Sequence, residues 1–248
     1  MFLESIYQFV AIFIIVALIH FYESISPLEK FKRIKNLKTD FILIIFSSCL
    51  VLIINNLLLS DIVLSTLNNF ISFREKINFI PLWIKFALSL VVGDFGYYVF
   101  HRLMHKPYLW RAHQLHHSTK KIYWFSGLRT SLINSLIVRL PYLISFQMFN
   151  IPFEEFYIYG IILVTVNFWV HSNINTRFDK ILSFAIITPR FHRIHHVNEK
   201  SLSGKNFGNI FSIWDFIFKT AEYNEKHDNL NKGEDLQWKK VPRQIIGI

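Results

Sequence analysis

Five long apolar runs, separated by shorter polar stretches, set the layout of the chain. Residues 6–22 carry no charge over about 17 positions, close to the ~20 a helix needs to cross a bilayer ~30 Å thick. The chain opens Met-Phe-Leu-Glu and leaves this run through Phe21, Tyr22 and Glu23. A cleaved signal peptide calls for a basic start and small residues at the cut, so a retained anchor is expected. Residues 41–59 read as a clear span. Residues 81–100 open with Pro81, suited to a first helical turn, and hold Lys85 near one end and Asp94 inside. The runs at 132–149 and 156–170 are split by a turn signal at 150–155, which predicts a helical hairpin. Arg139 and Pro141 make its first arm the weakest crossing, one expected to dip into the bilayer if it does not span.

Charge then gives these runs a direction. Lys plus Arg number 5 in residues 22–40, 2 in 61–79, 6 in 101–130, none in 150–155 and 12 after residue 171. If basic loops stay in the cytoplasm, the N-terminus lies outside, and 23 charges fall on the inner face against 2 on the outer. Composition agrees with a membrane setting: of 248 residues 52% are hydrophobic, 17% aromatic and only 18% charged, with mean hydropathy +0.32. A soluble domain carries about a quarter charged residues. A disordered chain is excluded by the same figures. The single Cys49 excludes a disulfide framework, a cysteine zinc ribbon and a thiolate-held iron–sulfur cluster. The net charge of +10 is scattered between apolar segments and forms no single stripe, which argues against nucleic-acid binding.

The chemistry lies in the histidines. Nine of 11 fall in four places: His101 and His105; His113, His116 and His117; His171; and His192, His195 and His196. Spacings of three and four put side chains about 5–6 Å apart on one helical face, so each cluster can offer two or three imidazoles to a common point. The charge pattern places all nine at one membrane boundary. A lone His at a helix end is ordinarily a satisfied polar residue, but nine together would repel if protonated and leave lone pairs unmatched if neutral. Two metal ions at four or five ligands each account for nine donors, and imidazole suits zinc, copper, iron and nickel alike. The sequence contains no HExxH or HxxEH zinc-protease helix and no glycine-rich dinucleotide fingerprint, so a nicotinamide or flavin would sit on another protein.

The ordered set HRLMH (101–105), HQLHH (113–117) and HRIHH (192–196) resembles the fatty acid hydroxylase superfamily, which includes sterol desaturases and sterol methyl oxidases. Supporting fragments are DFGYYVFH (94–101), LWRAH (109–113), HSN (171–173), TPRFH (188–192), NFG (206–208) and Trp214-Asp215. The likeness runs over about 93–220 and departs from the family at Gly204-Lys205-Asn206 and Phe218-Lys219-Thr220, neither expected to ligate metal. It implies an all-α helical membrane bundle of four to five spans in hairpins, with a cytoplasmic-side cap holding the metals. The apolar runs themselves read as anchor helices over 1–79, ahead of a catalytic domain over 80–220 and a polar tail over 221–248. The resemblance also implies two iron ions, with zinc an alternative occupant of purified or crystallised protein, and O2 as cosubstrate. A separate reductase or small electron carrier would dock on the basic face.

Expected roles follow. The nine histidines named above are the metal ligands. Asp94, two turns before His101, is expected to accept a ring N–H from one of them, with Asp215 a second candidate. Asn167, one turn before His171, resembles an Asn-x-x-x-His arrangement that reaches metal through water. Arg111 and Arg129 are expected at lipid headgroups. The function expected is oxygen-dependent hydroxylation, or desaturation, of a lipid C–H bond. The competing readings are a His-rich metal-binding or metal-transport protein without oxygenase activity and a structural descendant of the enzymes.

Overall fold

The computed structural model describes residues 2–32, 34–70, 74–152 and 155–248. Its helices are α1 (Phe2–Ile25), α2 (Ile34–Leu58), α3 (Asp61–Phe70), α4 (Leu82–Met104), α5 (Trp110–Gln114), α6 (Leu132–Met148), α7 (Phe156–Val170), α8 (Asp179–Leu182), α9 (Pro189–His195), α10 (Ile213–Ile217) and α11 (Val241–Ile246). Among the described residues there is no strand, and isolated bridges such as Ile186 with Phe211 are the only sheet-like pairs. All five apolar runs are helical, since a helix satisfies its backbone internally where water is scarce. Pro81 caps α4. Ser131 caps α6, its Oγ accepting from Asn134 N at 3.0 Å. Of the hairpin turn at 150–155, Phe153 and Glu154 lie outside the described residues, and Asn150 is left-handed at φ 47°.

Two helices, Lys38–Leu58 and Leu82–Met104, are long and apolar enough to cross a membrane. The apolar part of α1 (Phe9–Ile25), α6 and Tyr157–Val170 of α7 are shorter, at 10–17 residues. α4 packs chiefly on α6, α1 on α7 and α2 on α6. The outer faces stay apolar: Leu88, Val91, Val92, Phe95 and Val99 form an exposed stripe at helical spacing on α4, and α1 and α2 expose further Phe, Ile and Leu. α3 was not foreseen. It folds because Val63, Leu64 and Leu67 pack with Ile54 and Leu58 of α2 and Leu143 of α6.

The basic loops meet at one end of the bundle. Arg129 pairs with Asp40, Arg193 Nη2 donates to Glu29 Oε2 at 2.8 Å, and Glu23 Oε1 accepts from Asn173 N at 2.6 Å and Trp124 N at 2.9 Å. The last stretch of chain runs back across this end. Gly233 N donates to His196 O and Glu234 N to His117 O, while Val241 packs with Leu43 and Leu115. Gly233 has φ +66°, and a Cβ there would lie 2.2 Å from Thr119 O, so this crossing admits only glycine.

Candidate metal centre

Helix ends and short helices deliver the imidazoles. His101 and His105 sit one turn apart at the end of α4, His113 lies on α5, and His116 and His117 lie on the 3-10 turn His116–Ser118. His171 is the C-cap of α7. α9, started by Pro189 and by Thr188 Oγ1 accepting from Phe191 N, carries His192 and His195 and is capped by His196. All nine converge, but in two groups. His101, His105, His113, His117 and His195 form one, and His116, His171, His192 and His196 the other, with donor atoms within 4.8 Å of one another inside each.

Each HxxHH motif is divided between the groups. Positions i and i+4 lie only about 40° apart around a helix and stay together, whereas i+3 falls to the other side of the first residue. His113 and His117 thus join the first group and His116 the second; His192 and His196 join the second and His195 the first. The groups abut, with His117 stacked on His196 at 4.4 Å and His113 on His116 at 4.8 Å.

Acceptors behind the rings fix their tautomers. The Nδ1 atoms of His101, His105, His116, His171 and His195 meet the backbone oxygens of Phe207 (2.8 Å), Ser203 (3.0 Å), Arg129 (3.1 Å), Asn167 (2.8 Å) and Lys205 (2.9 Å). His113 Nδ1 meets Asn134 Oδ1 at 2.8 Å. A carbonyl oxygen only accepts, so each Nδ1 carries the hydrogen and each Nε2 presents a lone pair inward. Yet His101 Nε2 lies 2.9 Å from His113 Nε2, and His116 Nε2 lies 3.1 Å from His171 Nε2. Facing lone pairs at that distance repel unless a cation lies between them. His105 Nε2 is buried with no hydrogen-bond partner.

Protonation is a poor remedy. Burial pushes His116 down to about 4, and burial with the neighbouring His116 pushes His171 down to about 3. His113, His117, His192, His195 and His196 are held well below the ordinary value by burial and by one another. Two ligand nitrogens about 2.1 Å from one ion at right angles stand about 3 Å apart, so the donor set fits a pair of metal cations.

The other expected residues land differently. Asp94 touches no histidine: its carboxylate accepts from Tyr142 Oη (2.7 Å), Ile210 N (2.8 Å), Phe211 N (3.0 Å) and Trp214 Nε1 (3.0 Å). Asp215 holds Phe207 N and Gly208 N, both at 2.8 Å, and so braces the carbonyl that orients His101. The Asn167 side chain donates to Gly127 O at 3.3 Å, and it is the Asn167 carbonyl that serves His171. Arg129 is buried against Asp40 and Ser118, because its guanidinium ties helix α2 to the 3-10 turn at 116–118 instead of meeting lipid headgroups. Arg111 is exposed. Asn134 was missed by sequence reasoning, although a polar residue three positions after the Ser131 cap of an apolar helix is a readable signal. The backbone acceptors leave no trace in side-chain identity.

A cavity of about 260 Å³ lies over the first group, lined by His105, Trp110, His117, His195 and His196 and reaching the exposed Glu199, Lys200 and Ser203.

Residues 86–220 match the fatty acid hydroxylase family. The chain belongs to that family. Among curated relatives, an ornithine lipid hydroxylase from Rhizobium tropici is 30% identical over 56% of this chain and 42% of its own length. The human alkylglycerol monooxygenase is 32% identical over 58% of this chain and 32% of its own. A fatty acid hydroxylase from a Lecanicillium species is 28% identical over 66% and 50%. The chain therefore spans half or less of the length of each. No solved structure matches this member of the family.

Proposed function

We propose that the chain is a membrane-embedded, oxygen-dependent, non-haem di-iron oxidoreductase that hydroxylates a lipid C–H bond, with desaturation as the variant outcome. The observation that carries this reading is the convergence of nine imidazoles in two groups, six of them with an Nδ1 acceptor that leaves the Nε2 lone pair inward, at the end of an apolar bundle. An unactivated C–H bond gives acids, bases and nucleophiles no purchase, and two iron ions held by the nine histidines would supply the activation of O2 that it needs. This chain's own residues do the rest. The carbonyls on five of the Nδ1 atoms and Asn134 Oδ1 on a sixth keep those six rings in one tautomer, and burial keeps bulk water from the second group. The apolar helices bring a lipid tail to the histidines without its leaving hydrocarbon.

Hydroxylation consumes O2, two electrons and two protons and yields the alcohol and water. The electrons come in this reading from a separate donor protein at the basic end, and the excess of Lys and Arg there supports a cytoplasmic side for it. Relatives named for an ornithine lipid and for alkylglycerol point to a polar membrane lipid as substrate. The test is growth under labelled oxygen gas with and without expression, followed by untargeted lipid mass spectrometry. One labelled oxygen atom in a lipid, lost with His113→Ala, is expected. Bound metal without any labelled or newly unsaturated lipid would favour the competing metal-binding or transport reading.

A further inference from the structure

We propose that residues 208–219 form a re-entrant element that dips beside α4 into the bilayer, held there by Asp94, and that together with α8 it makes a lipid-facing shelf next to the histidines. The proposal rests on the reading that α4 crosses the membrane. Asp94 lies seven residues before His101, about 10 Å back along the helix. A carboxylate at that depth is costly, and Asp94 is fully buried. Its partners explain it. Non-helical backbone inside a membrane must have its N–H groups satisfied by protein, and Asp94 takes those of Ile210 and Phe211 together with the Trp214 indole. The neighbouring strand-like segment adds two more backbone bonds, Ile187 N donating to Ile210 O and Ser212 N to Ala185 O.

The outward side is apolar and continuous with the α4 stripe. Phe95 of α4 meets Trp214 at 5.0 Å and Phe218 at 6.1 Å, and Phe216 stacks on Phe184 at 5.4 Å. Ile181, Phe184 and Ile217 are 69%, 62% and 57% exposed, an arrangement that suits hydrocarbon and not water. The rim is basic: Arg177, Lys180 and Lys219 are exposed, whereas the acids of these segments, Asp179 and Asp215, are buried. Cations around an apolar face fit lipid phosphates. From the shelf, Phe218 stacks on Tyr98 at 5.3 Å, Tyr98 meets Phe207 at 6.1 Å, and Phe207 meets His101 at 5.6 Å. A lipid tail on the shelf thus lies beside the aromatic layer that walls the centre.

The test is spin labelling of the full chain in nanodiscs of phosphatidylcholine and phosphatidylglycerol, in a Cys49→Ser background. Labels are placed at Ile181→Cys and Ile217→Cys on the shelf, Val92→Cys on the α4 stripe and Lys200→Cys at the polar end. Oxygen access should exceed access by a water-soluble nickel chelate several-fold at 181, 217 and 92, with the reverse at 200. Shelf labels that behave like position 200 while 92 stays lipid-like overturn the proposal, and so do shelf labels shielded from both reagents, which would report a protein partner. If 92 itself behaves like 200, the proposal falls with the membrane reading of α4. Asp94→Asn should raise nickel access at 217 and leave 92 unchanged; an unmoved 217 overturns the role given to Asp94.

Discussion

The two histidine groups differ in how closed they are. The first draws its members from α4, α5, the 3-10 turn and α9, and three of its rings, His105, His117 and His195, line the cavity that reaches exposed side chains. The second group is wholly buried and touches that cavity only through His196. Its rings are held from deeper in the fold, His116 by the Arg129 carbonyl and His171 by that of Asn167. One sequence motif used twice therefore builds an accessible site and an enclosed one. In this reading small polar species exchange at the first group, while the second serves as the fixed partner.

The largest expected effect comes from deleting one ligand on each side. His113→Ala and His171→Ala should each lower iron from about two ions per chain towards about one by elemental analysis, with lipid hydroxylation lost in both. In the intact protein a chelator should strip the first group's ion first, and equal rates for the two ions would erase the contrast. Next, Arg129→Ala leaves Asp40 buried without its cation and removes a brace beside the second group. A loss of about 3–5 kcal/mol in unfolding stability is expected, read as a lowered melting temperature in detergent.

Asn134→Ala acts on the first group alone, weakening metal binding there by about 10–100-fold in a competition titration. Acid acts on both. The buried histidines of the two groups are held below 6.5 when folded, so between 6.5 and their depressed values the unfolded chain binds more protons. Stability of the metal-free protein should therefore hold above pH 6.5 and fall as pH drops below it, followed by thermal melts across pH. Arg111→Ala, at an exposed position, should shift stability by no more than about 0.5 kcal/mol in the same melts.

Much of this was legible in the chain. Helix α4 could be read from its apolar run and Pro81, and the hairpin of α6 and α7 from the turn at 150–155. Eight of the nine ligand candidates could be read because His recurs at i, i+3 or i+4, and His171 from the HSN fragment at the end of an apolar run. Asp94 was legible as costly but not as to what it holds, because its partners Ile210 and Phe211 are more than a hundred residues away and offer only backbone N–H. Arg129 was misjudged because a basic residue near a span is ordinarily at the surface, and Asp40 stands 89 positions earlier.

What the sequence determined by itself is the set of apolar helices and the inventory of imidazoles, since hydropathy and helical spacing are local properties. Tertiary structure alone decided which rings share a group, which nitrogen carries the hydrogen in the six rings with an Nδ1 acceptor, and that the last residues close over the His end through Gly233 and Val241. The physical reason is that these depend on backbone carbonyls and N–H groups brought together from distant segments, and every residue type but proline offers the same two.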